Sequence, residues 1–523
     1  MDLIMKKIYV LLVLIGLSVS YMAAAQEGNA VVRQPQIEMD LSRSLWFNSN
    51  NAAGMSVMPL NKYSIVNLGY EMNSGDFKLT QDGEKENTVG FNTNGATSVG
   101  KTQLWGTFDY KNIVEKEASF ITNLYDPHRD MPYYVADAVM SKFKKQAYDL
   151  GVKAAFPQLW GFVTPGMDLQ YTTHTGAKQR DPRSVTYYLT VKAAPSLLFE
   201  LSGRSNLGLT FNYEYLYERS TFNRSDTEVD YPVYIMRGLG NYTSAVVSGS
   251  VGVGTFFYKG NKIGGGLQYG YTNHDDFSAL VDAKYSYKVE DALQTPTKKQ
   301  NMGSTKQNLW NVSAQLLNDG EVFMKKLTLS FLDRNTDGIE YVQELDSSFE
   351  VAEWVTLAKY VRSKFSYRNM GVKYDMFAKR GDGYSWMAGV AMEHSKQSDE
   401  YMLPVSNLKA ENTLWSVYAK KNFELCEKSS LLAGLNVGYN SNAKGEYNYT
   451  GAYESSETVT KMYQNDFMYL TSDYLTFGAQ ATFSTLVSEA TSLFVKGQFQ
   501  YWAPMDSSFN KRTYTGISLG ITF

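Results

Sequence analysis

Apolar and polar side chains alternate one for one along many long stretches of this chain, and that period is what most limits its fold. Leu207, Leu209, Phe211, Tyr213, Tyr215 and Tyr217 alternate with Asn206, Gly208, Thr210, Asn212, Glu214 and Glu218, with Leu216 the exception. The pattern returns with Ile263, Gly265, Leu267, Tyr269 and Tyr271 against Lys262, Gly264, Gly266, Gln268, Gly270 and Thr272. It appears again from Leu431 to Asn440 and from Tyr474 to Phe483. A strand sends successive side chains to opposite faces, so each stretch reads as a strand with one apolar face. Stretches of about 10 residues with Tyr, Phe or Trp at their ends have the length and girdles of membrane-crossing strands. Hydrocarbon offers nothing to pair a free backbone N–H or C=O, so such a sheet must close on itself. The expected fold is all-β, a transmembrane antiparallel up-and-down β-barrel of roughly 14 to 18 strands.

Composition agrees. The chain has 39 Tyr, 27 Phe, 8 Trp and 41 Gly but 12 Pro, and its mean hydropathy is −0.33. A wall that is apolar outside and polar inside averages to such a value. The formal net charge of −3 supplies no basic field for nucleic acid. Cys426 is the one cysteine, so no internal disulfide forms. Lys6 and Lys7 precede the apolar run Ile8 to Val19, and Ala23-Ala24-Ala25 follows. The run falls short of the ~20 residues a membrane helix needs, and residues 1–25 read as a cleaved signal peptide with Gln26 the first mature residue. Residues 26–58 form an N-terminal segment, read either as a plug inside the barrel or as an ordinary turn before a first strand at Tyr63. Residues 59–523 form the barrel.

Connections alternate in length toward the C-terminus. Arg380 to Gly383, Cys426 to Ser429 and Leu486 to Glu489 read as short turns; Ser395 to Ala410, Ser441 to Ser472 and Ala503 to Lys511 read as long links. Short internal turns and longer external loops are usual in outer-membrane barrels. Between Asp291 and Tyr367 the face parity is ambiguous. The last stretch is regular: Ile517, Leu519, Ile521 and Phe523 alternate with Gly516, Ser518, Gly520 and Thr522. A terminal strand ending in an aromatic resembles the signal that the barrel assembly machinery reads.

Several short elements carry a family resemblance. They are Trp46-Phe47-x-x-x-Asn51-Ala52-Ala53-Gly54-Met55, Tyr133-Tyr134-x-x-Asp137, Asp181-Pro182-Arg183, Asp337-Gly338-x-Glu340-Tyr341-Val342-Gln343 and the terminal Phe523. Together they resemble an outer-membrane β-barrel family of unassigned function. The first element is more faintly similar to the Asn-Pro-Ala-Gly element of long-chain fatty-acid transporter barrels, with Ala52 in place of the Pro. The resemblance implies a fold and a bacterial outer-membrane location, and no reaction.

Candidate chemistry is sparse. Asp333, Asn335 and Asp337, with Gly338 and Glu344, match the spacing of a calcium-binding EF-hand loop, whose ligands fall at positions 1, 3, 5 and 12. The flanking Lys326 to Phe331 alternates like a strand, so the competing reading is a polar turn. Calcium at Asp333, Asn335, Asp337 and Glu344 is the one metal expectation; no other cofactor is expected. His128, His174, His274 and His394 show no paired metal spacing, His394 reads as a membrane-boundary residue, and no nucleophile motif accompanies them. Gly264-Gly265-Gly266 sits mid-strand, where glycine serves bending or close packing. The aromatic stretch Asn442 to Tyr469 reads as rings packing a loop on itself, with capture of a sugar, peptide or protein as the alternative. The functional expectation is a transport channel or an accessory of a nutrient-uptake system, not an enzyme. Its partners would be outer-membrane lipid, the assembly machinery at the Phe523 strand, and an uptake receptor or surface lipoprotein. The alternative is a structural or docking barrel presenting its loops to a partner protein; a membrane-embedded hydrolase ranks third.

Overall fold

The computed structural model describes residues 33–226, 228–247, 254–273, 276–295, 299–348 and 352–523. The signal-peptide reading of residues 1–25 falls outside them. Eighteen strands form one closed antiparallel barrel. In chain order they are Tyr63–Gly75, Lys85–Val99, Thr102–Ala118, Ser141–Ala155, Val163–Lys178, Arg183–Ser202, Ser205–Asn223, Thr255–Thr272 and Phe277–Thr295. The second half comprises Gln300–Asp319, Phe323–Asp346, Glu353–Arg380, Gly383–Met402, Val405–Glu424, Ser429–Asn448, Tyr474–Ser488, Thr491–Pro504 and Arg512–Thr522. Each pairs with its chain neighbours, and the first pairs with the last from Ile65↔Thr522 to Gly75↔Arg512. The zip continues one residue further: Phe523 N–H donates to the Ser64 carbonyl at 3.0 Å, and Ser64 N–H to the Phe523 carbonyl at 2.7 Å.

Burial is inverted relative to a water-soluble protein. Leu519, Leu435 and Leu267 are more than half exposed on the outer face, whereas Glu218, Asn212 and Gln268 are buried on the inner one. Burying such a leucine is worth about 1.5–3 kcal/mol in water, so an outer belt built this way is a surface for hydrocarbon.

The start of the first strand, the end of the last and the short connections, such as residues 100–101, 203–204, 381–382 and 489–490, lie at one rim, the turn end. The opposite rim carries residues 76–84, 119–140, 224–226, 228–247 and 449–473. A second sheet stands there, with Tyr231–Gly238 between Val135–Ala136 and Asn241–Val247. Residues 395–410, expected as a long link, are instead strand on both sides of a tight reversal at Leu403-Pro404. Strands that rise past the belt have polar residues on both faces, so their period-2 apolar signal disappears. The ambiguous parity between Asp291 and Tyr367 has a different cause. Register shifts at Ala292/Leu293, Gly338/Ile339 and Val342/Gln343 each slip the alternation by one residue.

The face assignment predicts an asymmetry. Leu435→Arg on the outer face should destabilise the barrel in lipid vesicles by about 2–4 kcal/mol, while Gln498→Arg on the inner face should cost little. Equal losses in denaturant unfolding would contradict the assignment.

Candidate functional site

The barrel interior is occupied at both rims, and each occupant is held by residues that break the polar-inside pattern. At the turn end the chain enters as the helix Gln34–Arg43, started by Pro35 in its first turn. Glu38 accepts hydrogen bonds from Lys420 Nζ at 2.9 and 3.0 Å and from the Tyr384 hydroxyl at 2.6 Å. Arg43 pairs with Asp319 at 2.8 Å, and Lys326 Nζ donates to the Ser42 carbonyl at 2.8 Å. A tight helical turn, Ala52–Ser56, then presses on the wall. Asn51 Nδ2 donates to Gln268 Oε1 at 3.0 Å, Ala53 N–H to Ser196 Oγ at 3.2 Å, and Asn50 Nδ2 to Asp282 Oδ2 at 2.8 Å. This approach requires small residues: a Cβ on Gly166 would collide with the Ala53 backbone, and one on Gly270 would sit 2.5 Å from the Trp46 ring. Leu45, Trp46 and Ala53 pack with Leu198, Leu280, Leu317, Met324 and Phe377. These inward apolar wall residues form the seat of the segment.

At the loop end, residues 119–140 fold down into the barrel. Arg129 forms ion pairs with Glu218 and with Glu290, the latter at 3.0 Å, and Lys288 pairs with Glu290 at 3.0 Å. Tyr125 N–H donates to Glu218 at 2.8 Å. Asp130 pairs with Arg334 at 2.9 Å and accepts from Thr336 Oγ1 at 3.0 Å. Asp137 pairs with the buried Lys178 and accepts from Thr122 Oγ1 at 2.7 Å. The Tyr258 hydroxyl donates to the Tyr133 carbonyl at 3.0 Å, and the Tyr133 ring lies where a side chain on Gly303 would be. Leu216, the exception in its alternating stretch, faces inward and joins Phe120, Ile121, Tyr133 and Phe256 in one apolar cluster.

The neighbouring loops close over this inward loop. His128 Nε2 lies 2.9 Å from Asp82, Gln81 Nε2 donates to the Tyr134 hydroxyl at 3.1 Å, and Asp466 accepts from Thr80 N–H at 2.7 Å. Burial pushes the Asp466 carboxyl up to about 6. Burial alone would lower His128, but the hydrogen bond and charge of Asp82 outweigh it and the net direction is upward.

Between the two occupants the inner wall carries amide, hydroxyl and charged groups. A cavity of about 200 Å³ is lined by Asn67, Glu71, Asn92, Asp109, Lys111, Lys496, Gln498 and Tyr514, with its two carboxylates balanced by two ammonium groups. Around the wall Lys192 pairs with Asp168 at 3.1 Å and Lys262 with Glu214 at 2.7 Å. The lumen is therefore hydrophilic and close to neutral.

The sequence-derived metal candidates do not assemble as a loop. Asp333, Asn335 and Asp337 lie within the strand Phe323–Asp346, paired to neighbours on both sides. The three project outward; Asp333 pairs with Arg368 at 2.9 Å and accepts from Asn335 Nδ2 at 2.8 Å. At about 3.4 Å per residue, Glu344 stands on the order of 37 Å along the strand from Asp333. The calcium-loop reading and the turn reading both give way to a continuous ladder, because two flanking strands satisfy the backbone that a loop would have to fold on itself. Among the described residues, no group of three or more His, Cys, Asp or Glu side chains is placed to hold an ion.

His174 lies inside the barrel, 3.1 Å from Asp149 and against the rings of Tyr125 and Tyr188. His394 faces outward beside Thr413 and Glu411; His274 lies outside the described residues. In the aromatic stretch, Tyr453 stacks on Tyr242 at 4.2 Å, Tyr447 on Phe467 at 5.7 Å, and the Tyr449 hydroxyl donates to Asn241 at 3.2 Å. These rings hold loops together. The inward loop with Arg129 and Asp130 was not apparent as a functional element in the sequence; the Leu216 exception was its trace.

Solved structures share the general shape at very low identity. The ferric preacinetobactin receptor BauA of Acinetobacter baumannii is 9% identical, with a TM-score of 0.39 over 88% of this chain and 80% of that one. The FrpB iron transporter of Neisseria meningitidis is 8% identical, with a TM-score of 0.44 over 90% and 83%. The outer membrane protein opdK of Pseudomonas aeruginosa is 10% identical, with a TM-score of 0.34 over 88% and 99%. No curated protein sequence matches the chain. A family model described as a family of unknown function, DUF6850, matches residues 52–523, and the chain belongs to that family.

Proposed function

We propose that this chain is a bacterial outer-membrane barrel that takes part in uptake of a hydrophilic solute, as a channel closed at rest or as the barrel of an uptake complex. The observation that carries the reading is the double occupation of a polar lumen. The N-terminal segment acts as a plug at the turn end, and the inward loop 119–140 acts as a constriction at the other. A barrel serving only as an anchor has no need for a hydrophilic cavity between two separate closures. The amide- and charge-lined wall favours a polar solute over a fatty acid. In this reading residues 1–25 are removed on export, the Phe523 strand is presented to the assembly machinery, and the external loops face an uptake receptor or surface lipoprotein.

A second reading, a docking barrel, draws on the loop end itself. The inward loop joins Tyr231–Gly238 in a sheet, and Asp466 ties residues 449–473 to Thr80. A firm platform of this kind suits a protein partner.

Planar-bilayer recording separates the readings. The full mature barrel should be silent or flicker rarely, and deletion of residues 26–58 should give stable conductance. A deletion variant that folds yet stays silent would remove the plug. Arg129→Ala leaves Glu218 buried without its cation and Glu290 with Lys288 alone, a loss of about 3–5 kcal/mol for a broken buried pair. Residues 119–140 should then become sensitive to added protease and brief openings should appear; protection equal to the parent would show that the loop is held by other contacts.

A further inference from the structure

We infer that the outer wall of the strands Glu353–Arg380, Gly383–Met402, Val405–Glu424 and Ser429–Asn448 carries a binding site for the phosphorylated headgroup of an outer-leaflet glycolipid. The ladder places outward side chains in register rows across these strands. One row is Val372, Met392, Trp415 and Tyr439, with Val372, Trp415 and Tyr439 exposed. Aromatic residues at this position mark the boundary between hydrocarbon and headgroups. The next row toward the loop end is Met370, His394, Thr413 and Ser441. Directly beyond it come Arg368, Lys396, Glu411 and Lys444, about 14 Å along the strands from the aromatic row. With strands tilted by about 35–45° that is roughly 10–11 Å in height, on the headgroup side of the aromatic row.

A cavity of about 260 Å³ opens here, lined by Arg368, Lys396, Ser398, Lys409 and Lys444, with Glu411 as its one carboxylate. The protein satisfies these cations incompletely. Arg368 pairs with Asp333 at 2.9 Å, and Lys396 with Glu411 at 3.0 Å, where His394 also lies at 3.3 Å. Lys409 reaches Glu446 at 3.7 Å and Glu400 only at 4.0 Å. Lys444 takes part in none of these pairs. Four cations line the cavity with Glu411, while Asp333, Glu400 and Glu446 stand at its edge; two rows above an aromatic girdle, the loosely held Lys409 and Lys444 complement an anionic headgroup whose acyl chains lie against Trp415 and Val390. The site rests on the outer-membrane placement proposed above and is independent of any transport role.

The test uses the full mature barrel in detergent, titrated with a bisphosphorylated acylated disaccharide lipid, its dephosphorylated counterpart and inorganic phosphate, with binding followed by native mass spectrometry. The bisphosphorylated lipid should bind, the dephosphorylated lipid much more weakly. Each cation removed should weaken binding about fivefold, so Lys396→Gln/Lys409→Gln/Lys444→Gln should lose on the order of 100-fold. Retention of lipid binding within about twofold by the triple variant would overturn the site. Equal affinity for the dephosphorylated lipid would do so as well, and binding of inorganic phosphate as tight as the lipid's would mark a free-anion site instead. Heat-dependent gel migration reports folding. If the triple variant fails to fold, Lys444→Gln alone should still show the fivefold loss. Fractionation of the same cells separates the two claims: a chain outside the membrane overturns the placement, whereas a membrane-inserted chain that binds no lipid overturns only the site.

Discussion

Every element of this structure depends on one seam of hydrogen bonds, the pairing of Tyr63–Gly75 with Arg512–Thr522. Without it the sheet would have two open edges, and each unpaired backbone group in hydrocarbon costs several kcal/mol. Closure turns the period-2 pattern into a partition of space, with one face of every strand outside and the other inside. It also brings the start and end of the barrel to one rim, which sets where the preceding segment enters the lumen. The continuation of the seam through Phe523 makes the last residue part of the wall.

Once the outer face is given to hydrocarbon, the interior has to be solved separately, and it is solved in three zones. The middle is polar. Near each rim a patch of inward apolar residues interrupts the polarity, one around Leu198, Leu280, Leu317 and Met324 and the other around Leu216 and Phe256. Each patch is matched by an inserted segment bearing aromatic residues, Trp46 at one rim and Phe120 and Tyr133 at the other. Glycines on the wall stand where these rings and backbones arrive. Exceptions to the alternating pattern are therefore contacts with inserted segments.

This explains which parts were legible beforehand. The barrel, its antiparallel order and its upper bound of 18 strands follow from alternation, because the belt forces apolar residues onto every second position. The wall above the belt was illegible, since both faces of Gly383–Met402 and Val405–Glu424 become polar there and a continuous hairpin resembles a loop. Asp333 to Glu344 shows the converse error: an oxygen-rich string with a well-placed glycine suggests a loop only until two neighbouring strands claim its backbone. The motifs behind the family resemblance had physical content that spacing alone did not disclose. Tyr133 and Gly338 meet at the inward loop, Asp137 anchors it through Lys178, Ala53 meets Gly166 of the wall, and Gly54 leaves room for the Trp46 ring.

The two closures differ in how they are held, and that difference bears on which one yields. The charged pairs of the N-terminal segment, Glu38 with Lys420 and Arg43 with Asp319, keep 22–36% of their side-chain surface exposed. Pairs of that exposure are worth about 0–1 kcal/mol each, so the segment is held chiefly by the packing of Leu45, Trp46 and Ala53 and by the hydrogen bonds of Asn50, Asn51 and Ala53 to the wall. Its link to the first strand runs through residues 59–62, and it can leave without breaking a strand. The loop 119–140 is fixed at both ends by strands, and its central Arg129 sits between two fully buried carboxylates. Moving it strands charge in a low-dielectric interior; moving the N-terminal segment exposes apolar surface to water. In a channel of the kind proposed, the turn end is the closure that opens at lower cost, and the loop end is the one that stays fixed to screen what enters.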